Sequence, residues 1–458
     1  MSIHLDLKDY VKKYGTHQIK VIATGEGFRN SEPVINQYVS LPELAVEENE
    51  ITILNVKKNV SSFDFYVDGT LNQSIEHDIE ESDDITIDIS GIDLDNGVKH
   101  SFYVIAHTDY GNFTSETAYS TLIFGVSGMY DSNVALTRTD DAVGKTYSID
   151  TSTGIVTSDF DNEFPYSKIE EVTINDNVFI SIPEMWFRIE TDEENNITSI
   201  AVAKYRVGEG RWFKTDAFLV GKYLSYQENN MMISKSGKAT TQNYTPIQWT
   251  TYAKANGNGY KPYGAYEHTI LTFLWLIEFA NKRSSNIMSG YASYNITTGG
   301  TDSIEAKTGY LTSNNRMKYR GIEDFVGNEL LWLPDVTGNY YTSRDVNTYT
   351  SGTTDKTQLS YYQNITASNS WRGILALGWD DNNPFICLPS KLGTASGTTY
   401  FGTSMYGPNN NSSYLPRTKA YPQYNTNCSL STLVFDVQYS SAQDNTTSRL
   451  VKYSNLED

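Results

Sequence analysis

The sequence predicts a mostly β, multidomain protein in which a β-sandwich is followed by an α+β domain. Three observations lead to this prediction. The chain has 458 residues, which exceeds the size of one ordinary hydrophobic core. Short alternating apolar segments, separated by turn residues, fill its first quarter. One strong helical pattern follows near the middle of the chain, between Gly264 and Ser284.

The composition describes a folded protein with an acidic surface. Hydrophobic residues make up 39% of the chain and charged residues 20%, and 35 basic against 55 acidic residues give a net charge of −20. Because no cluster of Lys and Arg interrupts this acidity, we expect no nucleic acid partner. The N-terminal residues have no apolar core or cleavage site, so we expect no export signal. The apolar segment 271–280 is short and contains Glu278, so we expect no membrane insertion.

The first part of the chain contains an internal repeat. Residues 17–23 and 100–106 share the pattern His-x-apolar-x-Val-Ile-Ala at an offset of 83 positions. This offset is about the length of one immunoglobulin-like or fibronectin type III sandwich. Between the two copies, residues 51–56, 63–67 and 85–89 have the pattern of strands, and Asp68-Gly69 is typical of a hairpin turn. The sequence therefore predicts an immunoglobulin-like or fibronectin III-like domain over residues 41–125.

Residues 1–40 resemble the last two strands of such a sandwich without their mates. A pair of strands alone is marginally stable in water, and its open edge favours pairing with another strand. Two interpretations stay open, in which the segment packs on its own neighbouring domain or a partner protein completes it. We therefore expect a partial immunoglobulin-like repeat or an anchoring segment.

The most informative motif is YRGIEDFVGNELLW, residues 319–332. Gly321 and Gly327 allow tight turns, and Phe325 and Trp332 supply apolar area for a core. The motif resembles a segment of the C-type-lectin-like fold shared by formylglycine-generating enzymes, by variable proteins of diversity-generating retroelements and by many phage tail adhesins. This resemblance implies a fold used both by an enzyme and by several binding proteins.

Two flanking segments extend the resemblance over residues 129–458. The apolar side chains of Ile270, Phe273, Leu274, Ile277 and Ala280 fall on one face at helical spacing, and this helix is similar to the one that precedes the motif in phage proteins. Residues 448–453 resemble the closing strand that returns the chain end beside its start. The resemblance implies an α+β C-type-lectin-like, receptor-binding domain.

The C-terminal region has an unusual composition. Asn, Tyr, Ser and Thr make up half of residues 391–450. Ordinary β-loops are one explanation, since these residues serve turns. We favour a binding surface, because Tyr offers rigid contact area and Ser and Asn offer adaptable hydrogen bonds. The predicted ligand-binding residues are Tyr400, Tyr406, Asn409, Asn410, Asn411, Tyr414, Tyr421, Tyr424, Asn425 and Tyr439.

Motifs for catalysis, metals and cofactors are not found in the sequence. None of the six histidines lies in the Tyr-rich region, and His268 is expected to be solvated or to cap the helix. Cys387 and Cys428 are 41 positions apart, unlike the closely spaced copper-binding thiols of formylglycine-generating enzymes, so buried reduced thiols are expected rather than a disulfide. Residues 380–383 are acidic enough for calcium, but a surface turn is the simpler interpretation. We predict no enzyme activity, cofactor or metal site.

The resemblance implies a bacteriophage virion protein, such as a tail fibre or receptor-binding adhesin. Such a protein is made in the host bacterial cytoplasm and then localises to the virion. Its expected partners are a bacterial surface glycan or protein and other tail or capsid proteins of the virion, and its expected oligomer is a homotrimer. The alternatives are a structural head-fibre or baseplate protein without receptor binding, a formylglycine-generating-like oxidase, or a glycan hydrolase.

Overall fold

The computed structural model of the chain describes residues 13–21, 34–47, 49–54, 56–78, 83–288, 296–311, 316–342, 357–364, 370–394, 401, 404–407, 414–418 and 429–453. The chain divides into two compact units. The first consists of Met1–Leu122 with Tyr205–Glu209, and the second of Ile123–Lys204 and Gly210–Asp458. Strands dominate both units, so the predicted mostly β, multidomain organisation is confirmed. The predicted domain boundaries at residues 40, 125 and 129 stay predictions.

The strands of the first unit are short and follow one another closely. They are β1 (Gly15–Val21), β2 (Val34–Ser40), β3 (Glu43–Val46), β4 (Glu50–Leu54), β5 (Val60–Val67), β6 (Thr70–Glu76), β7 (Ile85–Asp88), β8 (Ser101–Thr108), β9 (Gly111–Thr114) and β10 (Ala118–Tyr119). One sheet has the order β10-β8-β5-β6 with β9 paired to β8, and a second has the order β3-β4-β7. Strands β1 and β2 form an antiparallel pair.

The two larger sheets of the first unit share one hydrophobic core. Apolar and polar residues alternate along β4 and β5, so every second side chain is buried. Ile51 of β4, Phe65 of β5 and Phe102 of β8 belong to the same buried cluster, in which the two phenylalanine rings stack with centroids 6.1 Å apart. Both residues of the Asp68-Gly69 turn have positive φ, as a tight two-residue hairpin requires. The predicted strands and turn of this region are confirmed, and the immunoglobulin-like assignment stays a prediction.

In the described residues of the second unit there are two α-helices, α1 (Pro246–Lys254) and α2 (Ala265–Phe279), and short 3₁₀ helices at Tyr166–Lys168, Ser284–Asn286 and Ser360–Asn364. Its strands before α1 are β11 (Ile123–Ser127), β12 (Thr137–Asp140), β13 (Tyr147–Ile149), β14 (Ile155–Ser158), β15 (Glu170–Ile174), β16 (Asn177–Ile182), β17 (Met185–Thr191), β18 (Ile197–Ala203), β19 (Trp212–Thr215), β20 (Phe218–Gly221), β21 (Tyr226–Glu228) and β22 (Met231–Ile233). Its later strands are β23 (Tyr260–Pro262), β24 (Thr308–Leu311), β25 (Arg316–Tyr319), β26 (Ile322–Glu323), β27 (Leu330–Trp332), β28 (Tyr341–Thr342), β29 (Thr357–Gln358), β30 (Trp371–Leu377), β31 (Pro389–Thr394), β32 (Ser404–Tyr406), β33 (Tyr414–Thr418), β34 (Leu433–Gln438), β35 (Thr446–Thr447) and β36 (Leu450–Lys452).

These strands form several sheets rather than one. Three five-stranded sheets have the orders β12-β11-β18-β17-β19, β13-β14-β24-β25-β26 and β15-β16-β20-β36-β23. A seven-stranded sheet has the order β31-β30-β32-β34-β33-β27-β35, and β21-β22 and β28-β29 are two-stranded. The C-terminal strand β36 lies between β20 and β23, and it does not pair with β11, where the unit begins. The α+β character of this unit follows, while the C-type-lectin-like assignment stays a prediction.

Helix α2 is buried on all sides. Every residue from Ala265 to Phe279 is buried, whereas the spacing of apolar residues predicts burial of one face only. Its N-terminal backbone N–H groups at Ala265 and Tyr266 donate to the carboxylate of Asp335 at 2.7 and 3.2 Å. A side chain at Gly264 would collide with this carboxylate, because a Cβ there would lie 2.4 Å from Asp335 Oδ2. Glycine is therefore required at position 264, where the Asp335 carboxylate caps the helix N-terminus.

The C-terminus of α2 is also satisfied by side chains from distant segments. The helix ends at Ala280, which adopts a left-handed conformation with φ of 47°. Arg138 of β12 donates to the carbonyl oxygens of Ile277 and Glu278 at 2.7 and 2.6 Å. These two bonds replace the water that would otherwise solvate the last turn. One turn earlier, the hydroxyl of Tyr166 donates to the carbonyl of Leu274 at 2.9 Å.

Helix α1 was not predicted from the sequence, although its start signals are present. Thr245 is the N-cap, Pro246 occupies the first helical position, and Gln248 completes a capping box. Gln248 N donates to Thr245 Oγ1 at 3.2 Å, and Thr245 N donates to Gln248 Oε1 at 2.9 Å. The helix has only nine residues, so its periodic pattern is too short to stand out from the surrounding polar segment.

Trp332→Ala should lower the free energy of unfolding of the second unit by about 3 to 5 kcal/mol, because it removes a fully buried indole from the core. All seven tryptophans of the chain lie in the second unit, so tryptophan fluorescence during guanidinium denaturation reports on it. Val143→Ala, at a side chain that is 68% exposed, is the control. It should change this free energy by less than about 0.5 kcal/mol. Equal midpoints for Trp332→Ala and the parent would show that this residue is not part of the core.

Stability of the first unit should depend on the charge of His107. Its Nε2 bonds Asp64 Oδ2 at 2.9 Å, and this hydrogen bond raises the pKa of His107. Because the folded-state pKa exceeds the unfolded value of about 6.5, the stabilisation is complete below that pH and lost as pH rises through the raised pKa. Thermal unfolding of the parent and His107→Gln should therefore differ most below about pH 6 and converge as the pH rises through the raised pKa of His107. Ser74→Ala, which removes another partner of Asp64 but no titrating base, should show no such convergence.

Candidate functional site

The structure describes three of the ten predicted ligand-binding residues. Seven of them lie outside the described residues: Tyr400, Asn409, Asn410, Asn411, Tyr421, Tyr424 and Asn425. Tyr406, Tyr414 and Tyr439 are described, and each is half-buried. These three tyrosines therefore give the geometry of the predicted surface, and its assignment as a binding site stays a prediction.

Tyr406 lies in the middle of the seven-stranded sheet beside a second aromatic residue. It pairs directly with Trp371 of β30 and with Val434 of β34. The rings of Trp371 and Tyr406 lie 5.5 Å apart at an angle of 58°, and both side chains are half-buried. Trp371 was not predicted as a site residue, because it stands outside the segment whose composition marks the Tyr-rich region.

The pairing of β33 with β34 is irregular. Leu415 pairs with Val437, and two residues later Arg417 pairs with Val434, so β34 has one more residue in this interval. Side chains two apart on a regular strand share a face, and directly paired residues share it too. Val434 and Val437 therefore lie on the same face as Leu415 and Arg417. Without the irregularity they would lie on opposite faces.

This irregularity separates two of the predicted site residues. Tyr414 precedes Leu415 and pairs with Gln438, so it lies on the face opposite to Leu415. Tyr406 pairs with Val434 and therefore lies on the same face as Leu415. The structure thus does not bring Tyr406 and Tyr414 together on one surface. The sequence could not reveal this, because a one-residue shift in pairing leaves no mark in composition.

Tyr439, in contrast, packs against the hydrophobic cluster that contains Trp249 and Val437. Around the fully buried Trp249, the rings of Tyr244 and Tyr252 lie edge to face, with centroids 5.5 and 6.4 Å from the indole and 5.1 Å from each other. We refer to Tyr244, Trp249 and Tyr252 as the α1 aromatic cluster. Tyr244 and Tyr252 were not predicted as site residues, because they lie far from the Tyr-rich region.

The motif at residues 319–332 is bordered by a buried group of charges. Arg316 Nη2 donates to Glu323 Oε1 at 2.8 Å and to Asp324 Oδ2 at 2.6 Å, and Arg316 Nε donates to Asp324 Oδ1 at 2.7 Å. Arg449 donates to the backbone carbonyls of the same two acidic residues. Glu323 and Asp324 are essentially inaccessible to solvent, at 0% and 1% exposure. We refer to Arg316, Glu323, Asp324 and Arg449 as the buried ion cluster.

The electrostatics of this cluster resemble those of a catalytic carboxylate pair, but its bonding does not. Burial and the neighbouring charge of Glu323 raise the pKa of Asp324 to about 7, while Arg316 acts in the opposite direction. Both carboxylates are bonded to fixed donors, since Glu323 also accepts from the backbone N–H groups of Gly299 and Thr301. A substrate has no access to either group, so the cluster holds structure together rather than performing chemistry.

Backbone strain is concentrated at the same place. Arg320, Gly321, Asp324, Gly327 and Asn328 all have φ between 48° and 98°. For the non-glycine residues Arg320, Asp324 and Asn328, a positive φ normally costs conformational free energy. Asn328 offsets part of the cost by donating from Nδ2 to Asp324 Oδ1 at 2.5 Å. The motif therefore specifies a tightly turned segment.

Residues 380–383 form a turn whose carboxylate oxygens accept hydrogen bonds from nearby groups of the protein. Asp380 accepts from the backbone N–H of Ser360 at 2.8 Å and of Asn382 at 2.9 Å. Asp381 accepts from the indole of Trp379 and pairs with Arg211. Among the described residues, no group of three or more His, Cys, Asp and Glu side chains could hold a metal ion. The turn interpretation accounts for these residues.

His268 and Cys387 both line a small cavity beside α2. His268 is only 7% exposed, and its Nε2 lies 2.8 Å from the carbonyl oxygen of Leu430, so the expectation of a solvated or capping histidine is wrong. Glu267 provides the helix cap instead, accepting from Gly264 N at 2.8 Å. Burial raises the pKa of the Cys387 thiol, which is the property of an unreactive thiol. The cavity volume is about 20 Å³, enough for a single water molecule. Cys428 lies outside the described residues.

Comparisons with known proteins give little further information. The chain matches no protein-family model and no curated protein sequence. Among solved structures it is similar to a chain described as the structure of PvdO from Pseudomonas aeruginosa, with 11% identity, 62% of this chain and 98% of that chain covered, and a TM-score of 0.30. A TM-score this low does not establish a common fold. In the described part of the chain, no helix is long and apolar enough to cross a membrane.

Arg316→Met should destabilise the second unit by about 3 to 5 kcal/mol, because it leaves two buried carboxylates without their cation. Lys214→Met is the matched control, since Lys214 and its partner Glu184 are 46% and 54% exposed, and it should cost less than about 1 kcal/mol. Both are measured by guanidinium denaturation followed by tryptophan fluorescence. If the two variants unfold at the same denaturant concentration, the cluster does not stabilise this unit.

Proposed function

We propose that this chain is a bacteriophage virion protein that attaches the particle to a bacterial surface ligand through its second unit, a C-type-lectin-like domain. The main support is the set of aromatic side chains that are held half-buried at the surface of a rigid scaffold. Tyr406 with Trp371, and Tyr439 against the hydrophobic cluster that contains Val437, have this arrangement. Rigid aromatic side chains with a polar tip are typical of binding surfaces.

Binding is proposed rather than catalysis because of how the acidic groups are placed. The two carboxylates of the buried ion cluster, Glu323 and Asp324, are sealed inside the protein. The Cys387 thiol is buried and its pKa is raised, so it lacks the accessible thiolate of a catalytic cysteine. These observations favour a scaffold that presents contact residues over an oxidase or a glycan hydrolase.

The remaining parts of the proposal concern assembly. The first unit is proposed to be an immunoglobulin-like spacer, and the β1 and β2 pair an attachment segment for other tail or capsid proteins. A strand pair with open edges gains stability from a partner that extends the sheet. We propose a homotrimer, because several weak sites on one particle bind a cell surface much more strongly than one site does.

Replacing Tyr414 and Tyr424 together by Ala should weaken adsorption of the full chain to host cells by about tenfold or more, because a few aromatic residues carry most of the energy in such surfaces. The midpoint of thermal unfolding of this double variant should change little, because residues of a binding surface contribute little to the core. The measurement is binding of labelled protein to intact host cells. Tyr110→Ala, at a tyrosine of the first unit that is 67% exposed, is the control and should bind like the parent.

Two outcomes would contradict the proposed function. If the parent chain itself does not bind host cells, a structural head-fibre or baseplate protein is the better interpretation. If the double variant binds as well as the parent, the Tyr-rich region is not the binding surface.

A further inference from the structure

The sequence contains three Asn-Gly pairs, at residues 96–97, 256–257 and 258–259. Asparagine is a thermolabile residue, and it is most labile before glycine, because a residue without a Cβ lets its backbone nitrogen approach the side-chain carbonyl carbon of the asparagine. The reaction requires an asparagine side chain that is free to rotate and a glycine nitrogen that is free to move. Hydrogen bonds at either group therefore slow it.

The pair at residues 256–257 is held at both reacting groups. Asn256 is half-buried, and its Nδ2 donates to the carbonyl oxygen of Met232 at 2.9 Å and to that of Tyr252 at 3.1 Å. The backbone N–H of Gly257 donates to the carbonyl oxygen of Lys254 at 3.0 Å. Rotation of the asparagine amide would break the first two bonds, and movement of the glycine nitrogen would break the third. This pair is therefore protected.

The pair at residues 96–97 is restrained by its own turn. The side chain of Asn96 is exposed, but its Oδ1 accepts from the backbone N–H of Val98 at 2.8 Å and its Nδ2 lies 3.4 Å from His100 Nε2. The carbonyl oxygen of Gly97 accepts from the backbone N–H of Gly208 at 2.8 Å. These contacts restrain the amide group and the glycine that follows it, so the pair is partly protected.

The pair at residues 258–259 has none of these restraints. Asn258 is exposed, and in the described part of the chain no hydrogen bond holds its side chain or the backbone N–H of Gly259. Glycine is nevertheless required at position 259. Its φ is 76°, and a Cβ there would lie 2.2 Å from the carbonyl oxygen of Tyr453. The fold therefore fixes a glycine directly after an exposed, unrestrained asparagine.

We propose that Asn258 is a site of spontaneous deamidation. The backbone nitrogen of Gly259 attacks Asn258 Cγ, and a bond forms between these two atoms. The bond between Cγ and Nδ2 then breaks, and ammonia leaves with the proton that the glycine nitrogen carried. Water opens the resulting five-membered imide at one of its two carbonyl carbons. Opening at Cγ gives aspartate, and opening at the backbone carbonyl carbon gives isoaspartate, whose side-chain methylene has become part of the main chain.

The isoaspartate product should loosen the chain directly after β36. The backbone N–H of Tyr453 donates to the carbonyl oxygen of Gly259 at 3.0 Å, and the Tyr453 hydroxyl donates to the buried carboxylate of Glu267. An additional methylene before Gly259 displaces this carbonyl oxygen from Tyr453. Aspartate at the exposed position 258 changes only a surface charge. The inference does not depend on the proposed attachment function.

The modification is measured on the full chain, which is incubated at about pH 8.5 and 37 °C before its peptides are mapped by mass spectrometry. Each deamidation adds about 1 Da, and fragment ions assign it to Asn96, Asn256 or Asn258. In the folded chain Asn258 should react at least about fivefold faster than either of the others, whereas in guanidinium all three should react at similar rates. Equal rates in the folded chain, no reaction at Asn258, or a faster reaction at Asn96 or Asn256 would overturn the proposal.

Two variants test the structural consequence. Asn258→Ser removes the reacting amide, and Asn258→Asp has the charge of the product without the additional methylene. After incubation the parent should contain isoaspartate at position 258 and should show faster hydrogen exchange at the backbone N–H of Tyr453. Incubated Asn258→Ser and fresh Asn258→Asp should both keep the exchange rate of the fresh parent. If the incubated parent exchanges like these two variants, isoaspartate does not loosen the chain after β36, and that part of the proposal is wrong.

Discussion

Helix α2 is buried along its whole length, so the polar groups at both of its ends must find partners inside the protein. At one end the carboxylates of Asp335 and Glu267 accept the free N–H groups. At the other end Arg138 donates to the free carbonyls of Ile277 and Glu278, and Tyr166 donates to the carbonyl of Leu274 one turn earlier. Asp335, Arg138 and Tyr166 come from separate segments outside the helix, so the helix cannot be enclosed until those segments are in place. The arrangement of sheets around α2 follows from this requirement.

A second buried network extends from the same helix. Glu278 on α2 is fully buried and forms a two-point ion pair with Arg320, which lies in the strained motif. The motif then passes into the buried ion cluster, where Arg449 ties it to the segment before the last strand. Buried ion pairs contribute little net stability compared with apolar packing, but a partner left alone is very costly. The networks therefore define one arrangement of α2, the motif and the C-terminal segment.

Much of this fold was predictable, and the failures have specific causes. Alternation along β4, β5 and β8 and the Asp68-Gly69 turn signal the first unit directly, because one face of each strand is buried and the other is solvated. The strong apolar pattern of α2 predicts a helix with one buried face, but the other face, with His268, Thr269 and Thr272, is buried as well. Their burial depends on long-range partners such as Leu430 and Cys387, which local patterns do not contain. At the candidate site, composition marks tyrosine-rich segments, but the faces on which tyrosines lie depend on the irregular pairing of β33 with β34.

The pair formed by Glu278 and Arg320 has a consequence for how the sequence of this protein changes over evolutionary time. Loss of Arg320 leaves Glu278 buried without a counter-ion, and loss of Glu278 leaves the buried Arg320 with only its partly exposed partner Asp161, so each single replacement destabilises the fold. Arg320 also holds a left-handed backbone conformation that favours glycine, and glycine there would abandon the ion pair. Substitutions at these two positions should therefore be correlated. Related sequences should either retain both charges or have replaced both with uncharged residues of matching volume.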